Sequence, residues 1–511
     1  MTMNTLHPVA RLADLREDRG TAVEIEDTTI LLLRVGDEVR AFQANCPHAG
    51  APLAEGAVCE GWLVCPWHKA SFAVDDGSLC EPPALDALQR YPVEVRDGEV
   101  LVGTEPLPAQ AAEIQRDERL FIVVGAGAAG TAAAAALREF GFGGRLVLIG
   151  QEPGEPYDRT ALSKFVLQGD KAPEEAPPLR DADFFRQQHI ERLHAEVVRL
   201  DAQVRQLELS NGQTLDYDGC VLATGGEPKP LAVPGANLQG IHLLRTRADA
   251  AAILADLPDE GRAVIVGASF IGLEAASALR KQGLAVDVIS PASLPFVKQM
   301  GETLGQHFKT LHEANGVTFH APHEVVGFEG EGQVRQVRLK DGTRLPADVV
   351  LVGTGIAPAT AFLANLSLAD DGSVPVDAQL KAAEGLYATG DLATFPYAGR
   401  PTRIEHWRLA QQHGRLAARN LLGEAEAYAD VPFFWTLHHG KRYEYLGHPR
   451  QWDDMHLDGS LGDQTFVALL LADDLVVGVV ACQRERATAI LAQRLRQPLK
   501  RAEALDIVQA N

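Results

Sequence analysis

A multidomain protein combining α/β and all-β architecture is predicted, on three observations. The 511 residues exceed what one hydrophobic core usually organises, about 150 residues. A buried strand, a glycine turn and a helix follow one another twice, as LFIVV-GAGAAG-TAAAAALREFG from Leu120 and AVIVGASFIGLEAASALRKQG from Ala263. Ahead of the first copy, residues 20–103 break into short runs (TAVEI, TILLLRV, EVRAFQA, WLVCP, SFAVD, YPVEV, EVLVG) punctuated by Gly, Asp-Gly and Pro. Short β-branched or alternating runs of that kind read as strands.

Taken in order, residues 1–103 form the all-β module. Residues 104–118 (TEPLPAQAAEIQRDE) are a linker whose reach of roughly 20 Å would let that module dock or swing. Residues 119–243 begin a first Rossmann-like dinucleotide-binding domain, 244–374 form a second, and 375–428 return to the first. Residues 429–511 are aromatic and strand-rich (VPFFWTLHHGKRYEYLGH, TFVALLL, LVVGVVAC) before a basic helical end, ATAILAQRLRQPLKRAEAL, and read as a smaller α+β domain.

Composition excludes several classes. With 46% hydrophobic and 23% charged residues the chain is neither disordered nor fibrous. Its net charge of −22 repels phosphate backbones and anionic lipid, so nucleic-acid binding is not expected. No apolar run approaches the roughly 18–20 residues of a membrane span, and the N-terminus lacks a basic-then-apolar signal. A cytoplasmic protein is expected, with a homodimer left open. The acidity is uneven: residues 1–110 carry 8 basic and 18 acidic side chains, which predicts a basic docking partner, either an external redox protein or the Lys/Arg-rich C-terminal region.

Of six cysteines, Cys46, Cys59, Cys65 and Cys80 lie in the first module. Cys46-Pro47-His48 and Cys65-Pro66-Trp67-His68 each supply one thiolate and one imidazole. That set suits one tetrahedral zinc or a [2Fe-2S] cluster with two Cys on one iron and two His on the other. Zinc fingers keep their Cys pair and His pair in separate segments, so the mixed pairing favours the cluster. Cys59 and Cys80 have no partners at ligand spacing and are expected as small buried residues.

The CPH and CPWH loops resemble the Rieske family. By that resemblance Ala51 and Trp67 stand where high-potential members carry a disulfide, and Ala70 and Phe72 where they carry hydroxyls. The resemblance therefore implies a low-potential ferredoxin type, near −150 mV on the order of the lower family limit.

Gly125, Gly127 and Gly130, set between a strand and an Ala-rich helix, are placed to admit a pyrophosphate at a helix N-terminus. Glu152, 22 residues past Gly130, is the candidate ribose ligand, with Gln151 beside it. The segment Pro156–Lys164, Ala223-Thr224-Gly225-Gly226 and Tyr387-Ala388-Thr389-Gly390-Asp391 resemble the FAD signatures of the ferredoxin-reductase and apoptosis-inducing-factor branch of the two-dinucleotide flavoproteins. The resemblance implies that Arg159 and Lys164 approach the flavin and that Asp391 holds its ribityl chain. It further implies that Glu405-His406-Trp407 covers the pyrimidine end and that Trp435, after Phe434, lies near the nicotinamide.

The second glycine turn, Gly267, Ser269 and Gly272, with Gly353 and Gly355 after the strand VVLV, is the expected NAD(P) site. By the same resemblance Lys164 and Glu274 occupy the positions of a catalytic pair beside the flavin, with Trp407 as a third candidate. Ser290 ends the second strand with no carboxylate or arginine near it until Lys298, so NADH is favoured over NADPH.

Without a C-x-x-C or C-x4-C pair, dithiol chemistry on this scaffold is not expected. Joining the three components in one chain predicts transfer from NAD(P)H through FAD to the [2Fe-2S] centre and on to an unidentified acceptor. The alternatives are an oxygenase-system reductase with a fused ferredoxin, or an NADH-sensing regulator of slow turnover.

Overall fold

The computed structural model describes residues 5–108 and 114–511; part of the expected linker, residues 109–113, lies outside the described residues. The first hundred residues build two three-stranded sheets and one four-stranded sheet. Strands Leu6–Arg11, Ala57–Cys59 and Leu79–Glu81 join those read from the sequence. The last two are only three residues long, too short to show a clear alternation by themselves.

The four-stranded sheet carries the second cysteine loop between Trp62–Val64 and Ser71–Ala73, while the first follows Glu38–Gln43. The loops close in the same way: Cys46 N–H donates to Ala51 O and Cys65 N–H to Ala70 O, both at 2.8 Å. Each needs a left-handed residue at its fifth position, Gly50 at φ 75° and Lys69 at φ 61°. A lysine there is strained, and its fully buried side chain shows what holds it, as described below.

The two glycine-turn units form parallel sheets. In the first, Ile190–His194, Arg145–Gly150, Leu120–Val124, Gly219–Leu222 and Leu386–Ala388 lie side by side, so the chain returns to this sheet after the second unit. In the second the order is Ile241–His242, Val349–Val352, Arg262–Val266, Ala285–Ile289 and Val317–His320. Helix Ala128–Glu139 packs on helix Trp407–Leu421 at a distance only glycine allows: a Cβ on Gly414 would lie 2.1 Å from Ala129 O.

The C-terminal region is a five-stranded antiparallel sheet, Phe433–His438, Lys441–Gly447, Leu475–Cys482, Thr465–Ala472 and Asp454–Ser460. Its basic end forms two helices, Glu485–Arg494 and Arg501–Ala510, where the sequence suggested one run; Pro498 falls between them and cannot continue a helix. Cys59 and Cys80 are half-buried, not buried as expected. Among the described residues no helix is long and apolar enough to cross a membrane.

Candidate functional site

A cavity of about 990 Å³ opens at the C-terminal ends of the first parallel sheet. It lies at the upper end of the range for cofactor pockets, about 300–1,000 Å³. Its wall includes Gly125, Gly127, Glu152, Arg159, Lys164, Ala223, Thr224, Gly225, Glu274, Asp391, Glu405, His406, Trp407 and Trp435. Gly130 is not in the wall. A Cβ there would lie 1.7 Å from Gly125 O, so this glycine seats the helix on its own turn.

Glu152 lies just past the strand Arg145–Gly150 and is held by Tyr157 Oη at 2.6 Å and Arg159 Nη2 at 2.8 Å. Arg159 thus reaches the Glu152 side of the cavity, and its Nη1 donates to Arg245 O at 2.7 Å. At the other end the Lys164 ammonium lies 3.1 Å from Glu274 Oε2, both side chains 5% exposed. Ser163 Oγ donates to the same oxygen at 2.5 Å and Thr436 Oγ1 to Oε1 at 2.6 Å. Glu274 reaches the first cavity from the helix of the second glycine unit, Phe270–Lys281, so the two units meet here.

Three lining or supporting residues, Arg245, Ser163 and Thr436, carry no spacing signal. Arg245, whose Nη2 is 3.6 Å from Asp391 Oδ2, is marked only indirectly, by the capping box of Thr246 and Asp249 that starts the next helix.

The second glycine turn is built like the first. Gly267 has φ 110° and a Cβ there would lie 2.5 Å from Gly353 O. Ser269 Oγ caps the helix by accepting from Gly272 N–H and donates to Gly353 O at 3.0 Å. Gly355, at φ 103°, faces open space. Ser290 ends the strand as expected, and nothing basic lies between it and Lys298 in the sequence; in space the next residue borders a basin lined by Pro291, Pro322, His323, Glu324, Lys340 and Asp341. Lys340 and His323 come from distant loops, where spacing cannot reveal them, and each faces a carboxylate, Lys340 with Glu324 at 2.8 Å and His323 with Asp341 at 3.6 Å.

The four cysteine-loop residues form two pairs. His48 Nδ1 and His68 Nδ1 are 3.0 Å apart, and imidazole nitrogens on one metal, with bonds of about 2.1 Å, stand roughly 3.0–3.4 Å apart. The thiols of Cys46 and Cys65 share a hydrogen bond, with Cys46 pushed up and Cys65 held down to about 7. Among the described residues no three His, Cys, Asp or Glu side chains converge on a single ion. Two converging pairs suit two irons rather than one zinc.

This loop region is clamped onto the rest of the chain. The His68 ring lies 5.2 Å from that of Trp435, and Lys164 Nζ sits 4.8 Å over the same indole. Lys69 and Glu444 form an ion pair at 2.9 Å, 0% and 4% exposed. Lys69 also donates to Pro66 O, Arg442 to Glu444 and to Trp67 O, and Thr488 to Glu444. Arg408 donates to Pro82 O at 2.8 Å and Gln412 to Glu81 at 2.6 Å. The acidic module thus meets arginines of the helix Trp407–Leu421 and of the C-terminal region.

At this seam Glu81 and Asp430 both pair with Arg496. Burial, then the charge of Glu81, pushes Asp430 up to about 7 from 3.8, against the pull of Arg496 and Arg408. A raised carboxyl binds its proton better when docked, so docking is firmest at acid pH and weakens as pH rises through about 7. The thermal midpoint of the N-terminal module is expected to fall between about pH 4 and pH 7 and to level off above, and Asp430→Asn is expected to flatten that slope. An unchanged slope in the variant would refute the assignment.

Profiles of known families agree with this architecture: residues 120–414 match the pyridine nucleotide-disulphide oxidoreductases. The chain belongs to this family. Residues 5–92 match the Rieske [2Fe-2S] domain. The oxidoreductase is 34% identical to human apoptosis-inducing factor 3 over 497 residues, 93% of this chain and 81% of that protein. It is 34% identical to the ferredoxin–NAD(+) reductase subunit of a Pseudomonas putida benzene 1,2-dioxygenase system, over 76% of this chain and 97% of that one. Among solved structures it resembles the ferredoxin reductase for the CYP199A2 system of Rhodopseudomonas palustris, with a TM-score of 0.72 and 30% identity, over 77% of this chain and all of that one.

The oxidoreductase is an NAD(P)H-dependent flavin enzyme of ferredoxin-reductase type carrying a Rieske domain. FAD, a nicotinamide and a [2Fe-2S] cluster are its cofactors. The cavity fits the flavin nucleotide: Gly127 has nothing within 4 Å of a Cβ position, and Trp407 Nε1 and His406 Nδ1 are buried without partners in its wall. Dithiol chemistry has no residues to work with, since no cysteine lines the cavity, and Cys220 and Cys482 are buried in separate strands.

Proposed function

We propose that the protein passes electrons from NAD(P)H through FAD to its own [2Fe-2S] centre and on to a one-electron acceptor, the N-terminal module serving as a built-in ferredoxin. The observation that carries this is the contact of His68 with Trp435, whose indole also bears Lys164 from the flavin cavity. When bound, the flavin takes up a hydride and gives up electrons singly, and the cluster holds one electron at a time.

The chain's residues divide the remaining work. Gly125, Gly127 and the helix N-terminus receive the pyrophosphate, with Gly130 keeping that turn tight. Glu152 takes the ribose and Asp391 the ribityl chain, with Ala223, Thr224 and Gly225 along the same wall and Glu405, His406 and Trp407 at the ring's polar end. Lys164 supplies positive charge where the hydride arrives, and Glu274 orients the carboxamide. Gly267, Ser269, Gly272, Gly353 and Gly355 form the nicotinamide nucleotide's turn. Cys46 and Cys65 hold one iron, His48 and His68 the other.

NADH is favoured over NADPH because Lys340, the lysine of the basin beside Pro291, is already paired with Glu324. Since His68 faces the reductase, the acceptor approaches the exposed rim of the other loop, at Asn45, Ala49 and Gly50. Oxygenase components fit this reading as acceptors, in line with the dioxygenase-system relative.

Titration with NADH under visible and EPR spectroscopy is the test. Flavin bleaching is expected together with a Rieske signal, at a potential on the order of −150 mV. Ala70 and Phe72 offer the cluster no hydroxyl, and the Ser71 hydroxyl is committed to Lys69 O at 3.2 Å. A flavin band without a Rieske signal, with zinc found by metal analysis, would sink the proposal.

A further inference from the structure

Behind the Lys164–Glu274 pair a file of hydrogen-bonded side chains leads away from the cavity. Thr436 Oγ1, which donates to Glu274, lies 3.0 Å from His438 Nε2. His438 Nδ1 is 3.2 Å from His312 Nε2, and His312 Nδ1 is 3.1 Å from His439 Nε2. The members come from three places: the helix Phe270–Lys281, the helix Val297–Ala314, and the hairpin joining Phe433–His438 to Lys441–Gly447. Thr436, His438 and His312 are buried. His439 is half-exposed in the hairpin turn, where its backbone N–H donates to Ser277 Oγ at 2.7 Å. The file thus joins the cavity wall to the surface through an apolar sleeve that includes Phe296, Phe308 and Phe319.

The donors can be assigned by elimination. An ionised Glu274 only accepts, so the Thr436 hydroxyl hydrogen is committed to it and Thr436 Oγ1 accepts from His438 Nε2–H. A neutral imidazole has one donor and one acceptor. His438 Nδ1 therefore accepts from His312 Nε2–H, and His312 Nδ1 from His439 Nε2–H. One tautomer satisfies every link of the file, with the Leu273 carbonyl competing for the single N–H of His438.

Burial keeps the rings neutral. His312 is held well below the usual range by burial, then by His438 and His439. His438 is pushed down to about 3 by burial, then by His439, Lys164 and His307, opposed by a bond to the Leu273 carbonyl. His439 is pushed down to about 4 by burial and by Arg280.

We propose that this file carries protons between Glu274 and the surface, and that it discharges the proton set free in each turnover. The inference rests on the hydride step lying at Lys164 and Glu274. The balance is NAD(P)H plus two oxidised one-electron acceptors giving NAD(P)+, one proton and two reduced acceptors. Taking up the hydride frees no proton; removing its two electrons singly frees one in the cavity. With Glu274 Oε1 protonated and the file turned, so that each imidazole carries its hydrogen on Nδ1, one hydrogen moves outward along each link, His439 Nδ1 gives its own to solvent and the first arrangement results; each ring exchanges Nε2–H for Nδ1–H before the next proton leaves. One proton crosses per reversal.

The test has two arms. Nitrogen-15 NMR of the histidine side chains in the purified protein at neutral pH should show His312, His438 and His439 neutral and protonated at Nε2. Finding any of them charged, or protonated at Nδ1, overturns the assigned file whether or not the enzyme reading holds. In the second arm, NADH-reduced holoenzyme is re-oxidised by ferricyanide beside a pH-indicator dye. Thr436→Val should delay proton appearance at least about tenfold relative to that variant's own rate of flavin bleaching by NADH. Thr436→Ser should restore release, and His439→Gly, which suits the left-handed turn (φ 49°), should be rescued by imidazole in the buffer. Release at the wild-type rate in Thr436→Val, or no recovery in Thr436→Ser and in His439→Gly with imidazole, overturns the proposal. Failure of NADH to bleach any flavin would instead overturn the enzyme reading, leaving the NMR result to decide the file.

Discussion

Glu444→Ala is expected to loosen the N-terminal module by about 3–5 kcal/mol, the cost of leaving a buried charge without its partner. Glu444 is the carboxylate for two cations at this seam, Lys69 at 2.9 Å and Arg442. Lys69 is 0% exposed, and burial already pulls its pKa down against the support of Glu444. With the carboxylate gone, Lys69 must lose its proton or leave its pocket. Leaving releases the left-handed backbone at Lys69, which lies beside the His68 ligand. Denaturant unfolding should therefore resolve an early transition reported by the cluster's visible band, followed by the flavin domain. The paired change Lys69→Met with Glu444→Leu should recover much of the loss, because apolar replacements of a buried pair are often neutral or better. A single transition at the wild-type midpoint in Glu444→Ala would refute the clamp.

That clamp also marks where sequence reading stops. The cysteine loops and glycine turns were legible because their residues lie within a few positions of one another, and the turn geometry at Gly125 and Gly267 depends on local spacing alone. The acidity of the first module pointed to a basic partner, and the arginines of the helix Trp407–Leu421 and the C-terminal region are those it meets. Lys69 and Glu444, by contrast, are 375 positions apart, and neither carries a periodic or motif signal.

The same holds for His312 and His438, which meet only because a helix and a hairpin pack together. In the sequence, His438-His439 before Gly440 reads as a turn, and His312 as one polar residue of an amphipathic helix. Short strands such as Leu79–Glu81 were missed for the opposite reason: their signal is local but too brief to show a period.

The second large effect is expected at the imidazole pair. His48→Ala with His68→Ala removes both nitrogens of the 3.0 Å pair, and leaves only the two thiols of Cys46 and Cys65 from the four-residue set. Cytochrome c reduction by NADH should then fall by on the order of 100-fold, since a ligand set that cannot close does not hold its cluster. Ferricyanide, small enough to take electrons at the flavin, should still be reduced.

Trp435→Leu separates cluster loss from coupling loss. It keeps all four ligands but removes the ring between His68 and Lys164, so the EPR signal should persist while its appearance after NADH slows. If the double histidine variant reduced cytochrome c as fast as wild type, electrons would be leaving the flavin directly. The tightly seated module would then be a structural cover for the cavity, and the rim at Asn45, Ala49 and Gly50 would have no part in transfer.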